Sequence, residues 1–294
     1  IKMHWNSVLS TKKAKYMTMD ISNMYLNTPL DRFEYMRMKL TEFPQEIINE
    51  YKLNDLVNNH GWIYMKIRKT LPGLCQSGAL AAKKLAADLK PFGYYQVPKT
   101  NGLWKHESRQ ISFTLVVDDF GVSYVDKADA LHLEAALKKN YPMTVDWTGD
   151  KYIGINLDWN YSKQELRTSM PGYVKKALKQ FNHVLSSQKR VNSPTPFVPP
   201  KYGSKKPQMV YKDTSPPMTP EQKLQLQRIV GKFLYLARAT DETMGQGLNQ
   251  LSTKSEGSET TLTAQQHFLD YWYWNPDPVK LYKASDMILF VDSD

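Results

Sequence analysis

The amino-acid sequence predicts an α+β fold in which antiparallel strands are backed by helices. Residues 115–124 place two apolar, β-branched runs around an acid pair and a glycine, which is typical of a tight hairpin. Residues 126–140 carry apolar side chains on one helical face and lysines at the C-terminal end. Residues 219–221, Thr-Pro-Glu, indicate the start of another helix with a threonine N-cap.

The remaining elements follow from the same kinds of pattern. The first 13 residues predict the end of a helix, Trp5–Leu9, followed by a polar turn. Residues 45–60 predict a polar helical segment. Residues 79–89 and 261–274 predict two further helices, of which the second is amphipathic and rich in aromatic residues. Alternating or apolar runs predict strands over residues 14–20, 33–38, 61–68, 101–104, 111–117, 152–159 and 286–294.

Acidic side chains occur where two of these strands end. Asp118 and Asp119 lie between the halves of the hairpin, and Asp20 ends an earlier strand. Like charges this close repel each other unless a cation lies beside them, although an Asp pair is also common in a structural turn. Three carboxylates that converge from two strands can hold two Mg²⁺ ions about 4 Å apart, the arrangement used for displacement at phosphorus. The acid pair alone leaves both interpretations open.

Composition favours an anionic partner. The 294 residues include 39 Lys and Arg against 29 Asp and Glu, a net charge of +10, and many aromatic residues, which suits nucleic acid. Cys75 is the single cysteine, so an internal disulfide is excluded and a reducing compartment is expected. No apolar run reaches 18 residues, so no membrane partner is expected. The first and last residues suggest a fragment of a longer polyprotein.

Three motifs, taken in their order along the chain, resemble those of a known family. Residues 14–26 end a strand on an acid and place Tyr25 five positions later, residues 71–78 form a turn rich in small residues, and residues 115–119 end on the acid pair. This series resembles motifs A, B and C of the reverse transcriptases of copia-type LTR retrotransposons. Val116 stands where many relatives have Tyr or Phe, a change that copia-type elements tolerate.

The resemblance implies a right-hand polymerase, with a palm of antiparallel strands backed by helices, a helical thumb and mostly missing fingers. It implies two-metal transfer of deoxynucleotides onto a primer 3′-hydroxyl, with two Mg²⁺ ions, or Mn²⁺, as cofactor. Asp20 and Asp118 would bridge both ions, Asp119 would be a less direct ligand, and the backbone carbonyl of Ile21 would be a further one. One ion would lower the pKa of the primer hydroxyl, and the other would neutralise the leaving pyrophosphate.

The resemblance also assigns four residues to the incoming nucleotide. Tyr25 would lie under the sugar and exclude a 2′-hydroxyl, although an aromatic residue there also suits a core. Gln76 and Gly78 would contact nucleotide and template, although Gln-Ser-Gly is also an ordinary junction between a loop and a helix. Lys151 would donate a proton to pyrophosphate, although a lysine there is more often solvated.

Further residues are assigned to the template and primer. The family's primer grip corresponds to residues 152–159, which implicates Tyr152 and Gly154. Residues 163–212 carry eleven basic side chains and one acidic one, which favours a phosphate track that includes Lys175 and Lys176 over an ordinary solvated face.

One predicted helix has a stripe that resembles the thumb helix of retroviral polymerases. Its residues recur at intervals of four, and they are Gln227, Gly231 and Tyr235. In that family the helix lies along the minor groove of the template–primer, where a missing side chain lets the helix axis come close. A glycine tolerated in a packed helix at a cost of about 1 kcal/mol is the other interpretation.

The resemblance divides the chain into three parts. Residues 1–160 would form the palm with partial fingers, residues 161–258 a basic linker and the helical thumb, and residues 259–294 a connecting helix and the first strand of a truncated ribonuclease H domain. Prolines make residues 193–210 an extended linker. Asp294 would be the first nuclease carboxylate.

The function so implied is that of an RNA-directed DNA polymerase, a nucleotidyltransferase, within a retrotransposon polyprotein that also contains integrase and ribonuclease H. Its partners would be an RNA or DNA template with primer, dNTPs and the rest of the polyprotein, in a cytoplasmic virus-like particle. Because most of the fingers are missing, we expect this chain alone to polymerise little or nothing. The competing class is a catalytically dead or domesticated nucleic-acid-binding protein. A metal-dependent nuclease would need a fourth ligand or base that the sequence does not offer.

Overall fold

The structure is a computed structural model that describes residues 1–196, 214–253 and 257–286. The chain forms two compact units, residues 1–149 and residues 150–294. Within the described ranges there are eight α-helices, and every pairing between strands is antiparallel. The α+β class predicted from the sequence is therefore confirmed, and the polymerase palm stays a prediction.

The first unit contains four helices and eight strands. Its helices are α1 (Lys2–Ser10), α2 (Gln45–Glu50), α3 (Ser77–Leu89) and α4 (Lys127–Lys138). Its strands are β1 (Lys15–Ile21), β2 (Pro29–Lys39), β3 (Trp62–Lys69), β4 (Tyr94–Gln96), β5 (Leu103–His106), β6 (Ile111–Val116), β7 (Asp119–Tyr124) and β8 (Met143–Asp146). Six of these strands form a sheet in the order β4-β5-β6-β7-β1-β8, and β2 and β3 form a separate two-stranded ribbon.

Strand β1 lies between β7 and the edge strand β8 of the six-stranded sheet. Because side chains alternate along a strand, Met17, Met19 and Ile21 share one face, where they are buried with apolar residues of α3 and α4. The opposite face is covered at its start, where the Trp5 indole of α1 donates a hydrogen bond of 3.1 Å to the buried Tyr16 hydroxyl. Farther along this face Asp20 is only half-buried, so the strand ends at a partly open surface.

The two-stranded ribbon has a small core of its own. Ile63 of β3 is buried with Ile48 of α2 and with Leu53, which follows that helix. The even-numbered residues of β2 and the odd-numbered residues of β3 form this covered face, since Met36 pairs with Met65 and Met38 pairs with Ile63. The opposite face of the ribbon consists of the alternate residues.

The second unit contains a four-stranded sheet and four helices. Its strands are β9 (Lys151–Tyr152), β10 (Ile155–Asn160), β11 (Glu165–Ser169) and β12 (Val279–Lys283), in the sheet order β12-β11-β10-β9. Its helices are α5 (Tyr173–Gln180), α6 (Pro220–Thr240), α7 (Gly245–Ser252) and α8 (Glu259–Trp274). The first domain boundary predicted from the sequence lies after residue 160, whereas the compact units divide after residue 149.

The predicted start of α6 is confirmed by its capping geometry. The Thr219 hydroxyl accepts a hydrogen bond of 3.3 Å from the Gln222 backbone N–H, and the Gln222 side-chain oxygen accepts one of 2.8 Å from the Thr219 N–H. Reciprocal bonds of this kind satisfy donors that a helix N-terminus otherwise leaves open. Farther along, Phe233 is fully buried and contacts Phe268 and Trp272 of α8, with ring centroids 5.5 and 5.4 Å away.

The single strand predicted over residues 152–159 is wrong. Strands β9 and β10 form a hairpin instead, because the chain turns at Ile153 and Gly154, whose φ angles are +45° and +78°. Positive φ at both central residues is the signature of a type I′ turn, which suits the twist of a hairpin. Isoleucine is rare in this conformation, so Ile153 did not indicate a turn before Gly154.

Some predictions concern residues outside the described ranges. They include most of the strand predicted over residues 286–294, with Asp294, and the part of the linker from residue 197 onward. Four of the eleven basic residues, Lys201, Lys205, Lys206 and Lys212, also lie there. Among the helices that the structure describes, none combines the length and the apolar character needed to cross a membrane.

Candidate active site

Three carboxylates come together at one end of the six-stranded sheet. Asp20 of β1 lies directly opposite Asp119 of β7 in the strand register. Asp118 occupies the turn before β7, and its backbone carbonyl accepts a hydrogen bond of 3.2 Å from the Ile21 N–H. The structure therefore brings Asp20, Asp118 and Asp119 into one neighbourhood, with the buried Ile21 beside them. Their roles as catalytic residues and metal ligands stay predictions.

The turn that carries Asp118 has an unusual backbone. Val116 pairs with Asp119, so Val117 and Asp118 are the two central residues of the β6–β7 turn. The φ angle of Val117 is +59°, which is costly for a β-branched side chain and which glycine normally takes at this position of a type II′ turn. Residues held in such conformations cluster at functional sites. The turn therefore marks the acid end of the sheet as a candidate site.

Burial and mutual repulsion perturb the acids. Burial raises the pKa of Asp20 above its ordinary value, and the neighbouring charge of Asp118 adds to the effect. Burial likewise raises the pKa of Asp119, with further contributions from the charges of Asp118 and Asp20. Each charge thus disfavours ionisation of its neighbour, and a cation at this end of the sheet would relieve that repulsion.

The donor set fits Mg²⁺ by its chemistry. Carboxylate oxygens are the ligands that Mg²⁺ takes, commonly through one or two carboxylates together with substrate phosphates. In the part of the chain that the structure describes, no three Asp, Glu, His or Cys side chains are already arranged as a metal-binding group. Asp20, Asp118 and Asp119 are the residues that would hold the ion, because their charges already act on one another.

A cavity of about 260 Å³ adjoins the strained turn. Val117 and Tyr25 line it together with Gly78 at the start of α3. A Cβ atom added at Gly78 would lie 4.0 Å from the Tyr25 hydroxyl oxygen, so even an alanine there would narrow the cavity. The Tyr25 backbone is fixed, since its carbonyl accepts hydrogen bonds from the Thr28 N–H and the Thr70 hydroxyl. The structure thus places two predicted nucleotide-binding residues, Tyr25 and Gly78, on one cavity wall.

Gln76 contacts a residue that sequence reasoning missed. Its side-chain amide donates a hydrogen bond of 3.0 Å to the Glu34 carboxylate of β2. Glu34 lies 42 positions earlier in the chain, and no local pattern distinguishes it from a surface acid. The bond connects the N-terminus of α3 to the ribbon. Cys75, immediately before Gln76, is exposed.

The predicted primer-grip residues lie in the second unit. Tyr152 is buried, Lys151 is exposed, and Gly154 follows the turn residue Ile153. The Tyr235 hydroxyl of α6 donates a hydrogen bond of 2.5 Å to the Ile153 carbonyl. A Cβ atom at Gly154 would lie 3.5 Å from that hydroxyl, which is ordinary contact. The structure therefore joins two predicted groups, the primer grip and the stripe of α6, through Tyr235.

The other predicted nucleic-acid-binding residues are on exposed surfaces. Gln227, Gly231 and Tyr235 form an exposed stripe on α6, and no atom lies within 4 Å of a Cβ built at Gly231. The open space at Gly231 is compatible both with a helix that approaches nucleic acid and with a glycine that is tolerated in a packed helix, so both interpretations stay predictions. Lys175 and Lys176 are exposed on α5. The contact of any of these residues with nucleic acid stays a prediction.

Comparisons with known proteins give a weak structural similarity and no match in sequence. No protein-family model matches the chain, and no curated protein matches it. Among solved structures, the chain is similar to a telomerase from Candida albicans in a complex with the TWJ fragment of telomeric RNA, with a TM-score of 0.34 and 10% sequence identity. The similarity covers 93% of this chain and 48% of that one, so the chain spans about half the length of the telomerase. A likeness this weak carries no argument about function.

Proposed function

We propose that this chain is the reverse transcriptase region of a copia-type retrotransposon polyprotein and acts as an RNA-directed DNA polymerase. The observation that carries the proposal is the pairing of Asp20 with Asp119, beside Asp118, at the end of an antiparallel sheet. These are the acids that the resemblance assigns to motifs A and C. The cavity that Tyr25 and Gly78 line next to Val117 supports the proposal independently, because it gives the acids a neighbouring space for a substrate.

In this proposal the acids hold the metal ions. Mg²⁺, when bound, would activate the primer hydroxyl and neutralise charge on the triphosphate. Asp20 and Asp118 would be its direct ligands, and Asp119 would add negative charge from the adjacent strand. Because the acids are partly buried and repel one another, they favour a cation strongly once they are ionised. The chain itself needs to form no covalent intermediate, since positioning and charge supply most of the rate.

Tyr25 and Gly78 would shape the nucleotide site. The ring of Tyr25 would lie against the sugar and exclude a 2′-hydroxyl by its bulk. Such exclusion requires a rigid ring, and the hydrogen bonds to the Tyr25 carbonyl limit movement of its backbone. The missing side chain at Gly78 would leave room for the nucleotide opposite that ring. Gln76 would orient the N-terminus of α3 through its bond to Glu34.

In the second unit, the β9–β10 turn and the α6 stripe would contact the primer and template. Their shared hydrogen bond, from Tyr235 to the Ile153 carbonyl, would keep the two surfaces in register. The exposed lysines of α5, Lys175 and Lys176, would neutralise phosphates of the same nucleic acid. Lys151 would be the proton donor to pyrophosphate.

The first test is thermal unfolding of the chain with increasing Mg²⁺. At a concentration one hundred times the Kd, binding should add about 2.7 kcal/mol to the free energy of unfolding. The Asp118→Asn variant should lose this stabilisation, because it removes a ligand and its charge. Asp55→Asn, which changes an exposed acid of the same unit, is the matched control and should behave as the original chain does.

Primer extension on a template–primer with dNTPs completes the test. We expect little synthesis by the chain alone, and at least about a hundredfold less by Asp118→Asn wherever synthesis is measurable. Absence of any Mg²⁺-dependent stabilisation in the original chain would contradict the proposal and favour a nucleic-acid-binding protein without catalysis. Equal synthesis by Asp118→Asn and Asp55→Asn would also contradict it.

A further inference from the structure

The uncovered face of the β2–β3 ribbon has an unusual composition. Tyr35 pairs with Lys66, Arg37 with Tyr64 and Lys39 with Trp62, so these alternate residues share one face. We name it the aromatic–basic face. It consists of four aromatic and four cationic side chains, which are Phe33, Tyr35, Arg37, Lys39, Trp62, Tyr64, Lys66 and Arg68.

Three of the four aromatic side chains of this face are strongly exposed, and Trp62 is partly buried. Tyr35 is 71% exposed, Tyr64 63% and Phe33 43%. Large aromatic side chains are normally buried, and a contiguous exposed group of them marks a binding surface. The opposite face of the same ribbon is covered by α2 and its neighbours, so the exposure does not arise from a poorly packed strand.

The charges of the eight residues named in this face have one sign, and Asp31, an exposed acid of β2, lies within the register shift between Pro29 and Glu34. Within residues 33–39 and 62–68 the single acid is Glu34, which belongs to the opposite face and bonds to Gln76. The cations lie over the rings: the Lys66 ammonium is 3.8 Å from the centre of the Phe33 ring, and the Arg37 guanidinium is 4.5 Å from that of Trp62. Cation and ring therefore alternate in space as well as in sequence.

We propose that the aromatic–basic face binds single-stranded nucleic acid. Unpaired bases stack on exposed rings whatever their sequence, while the neighbouring lysines and arginines attract the phosphates. A duplex hides the faces of its bases, so it can use the cations of this face and not the rings. The chemistry therefore selects an unpaired strand over paired nucleic acid and over a neutral or cationic partner.

The base of the ribbon adjoins the nucleotide cavity. The Thr70 N–H, one residue after β3, donates a hydrogen bond of 2.9 Å to the Thr28 carbonyl just before β2, and the Thr70 hydroxyl bonds to the Tyr25 carbonyl. A strand on the aromatic–basic face therefore lies on a ribbon rooted at the wall of that cavity. This placement deepens the proposed polymerase function, although binding by the face requires neither Mg²⁺ nor the acids.

The test is fluorescence anisotropy with a labelled oligothymidylate of about a dozen nucleotides, measured in EDTA without dNTPs. Tyr35→Ala with Tyr64→Ala should weaken binding about a hundredfold, because two stacking interactions are lost and each is worth about a factor of ten. Tyr35→Phe with Tyr64→Phe keeps the rings and should bind as the original chain does. Tyr51→Ala, which removes a 60%-exposed tyrosine beside α2, is the control and should have no effect.

A second pair of variants tests the positive charges of the face. It also provides a test of the inference if the alanine pair fails to fold. Arg37→Gln with Lys66→Gln should reduce the dependence of log Kd on log salt by about 1.4, as expected when two phosphate contacts on a single strand are lost. Lys12→Gln with Lys105→Gln, which changes two exposed lysines elsewhere in the unit, should leave the salt dependence unchanged.

Several results would overturn the inference. They are an absence of oligothymidylate binding, equal affinity for a blunt duplex of the same length, and alanine variants that bind within twofold of the original chain. A change in sedimentation of the alanine pair with unchanged oligothymidylate affinity would identify the face as a self-association surface and also overturn it. The oligothymidylate assay contains neither Mg²⁺ nor dNTPs, and the Mg²⁺ titration contains no nucleic acid, so failure of this inference and failure of the polymerase proposal give different results.

Discussion

Two hairpins, one in each unit, both have a β-branched residue at positive φ in the turn, but the surroundings of the two turns differ. The turn of β6–β7 holds Val117 at a φ of +59°, and the turn of β9–β10 holds Ile153 at +45°. In the second turn a glycine follows, and the Tyr235 hydroxyl of α6 bonds to the Ile153 carbonyl. In the first turn Asp118 follows, and Val117 lines the cavity beside Tyr25. The β-branched residue of the β9–β10 turn thus contacts a helix, whereas that of the β6–β7 turn lies next to the acid cluster.

The difference shows what each turn depends on. The β9–β10 turn is supported from outside by a side chain of α6, so its shape belongs to the packing of the second unit. The β6–β7 turn places the charge of Asp118 beside Asp20 and Asp119, where it adds to the effect of burial in raising the pKa values of both acids. Its strain and its electrostatic repulsion both oppose stability at neutral pH. We therefore expect the stability of the first hairpin to depend on pH and on bound cations. The stability of the second should depend on the hydrogen bond from the uncharged Tyr235 side chain.

The largest expected effect concerns pH. The pKa values of Asp20 and Asp119 are raised, so the folded protein keeps these protons to a higher pH than the unfolded chain does. Their contribution to stability therefore falls as pH rises from the ordinary aspartate pKa of about 3.9 through the raised values. Mg²⁺ binds the ionised acids, so the Mg²⁺-induced rise in Tm should grow across the same window and then level off.

This pH dependence is measured by thermal unfolding across the acid and neutral range, with and without Mg²⁺. At pH values above the raised pKa values, the Mg²⁺-induced rise in Tm should amount to several degrees. For a chain of this size, each kcal/mol of stabilisation raises Tm by about 2 to 4 °C. A Mg²⁺ effect of the same size at all pH values would show that other groups bind the ion. The Tyr235→Phe variant, which loses only the α6 hydroxyl that bonds to the second hairpin, should retain the full effect.

The next effect concerns the strained residues themselves. Val117→Gly should raise the free energy of unfolding by about 1 kcal/mol, because glycine takes positive φ without a steric cost. It should also weaken Mg²⁺ binding, because the turn would hold Asp118 less firmly. Ile153→Asn is the matched change in the other turn, where it creates the Asn-Gly pair that type I′ turns prefer. It should stabilise the chain similarly and leave Mg²⁺ binding unchanged.

Chemical unfolding and a Mg²⁺ titration of both variants test this pair. Destabilisation by Val117→Gly would mean that the contacts of the valine side chain outweigh its backbone strain. Equal loss of Mg²⁺ binding in both variants would remove the functional distinction between the two hairpins.

The smallest effect is that of Tyr235→Phe. The change removes the hydrogen bond to the Ile153 carbonyl and keeps the ring, whose centroid lies 6.0 Å from that of Tyr173. We expect a loss of about 1 kcal/mol in the free energy of unfolding, the usual value for one hydrogen bond. Tyr51→Phe, at an exposed tyrosine, should cost less than about 0.5 kcal/mol, as surface changes usually do. An equal loss in both variants would show that the bond does not support the turn.

Local patterns in the sequence were sufficient for most helices and for the acid hairpin. The apolar spacing within residues 126–140 predicted α4, and Thr219 predicted the cap of α6, because both signals depend on residues within one or two turns. The strand at β8 was not predicted. Its four residues, Met-Thr-Val-Asp, alternate between apolar and polar, but so short a run becomes a strand only through pairing with β1, more than a hundred residues earlier.

The candidate site was predictable where an acid or a glycine gave a local signal. The convergence of Asp20 with Asp118 and Asp119 was anticipated from strand ends, whereas the bond from Gln76 to Glu34 joins two polar residues with no pattern in common. The aromatic–basic face was also missed. Its alternation was visible in each strand, but only the register of β2 with β3 shows that rings and cations occupy the same side.

The exposed thiol of Cys75 has a practical consequence. It is the single cysteine of the chain, and it precedes the glutamine that connects α3 to the ribbon. A maleimide dye would therefore attach at one known position without prior mutagenesis. Fluorescence from that position would report on the junction between the ribbon and the cavity that Tyr25 and Gly78 line, in a protein whose seven tryptophans make intrinsic emission hard to assign.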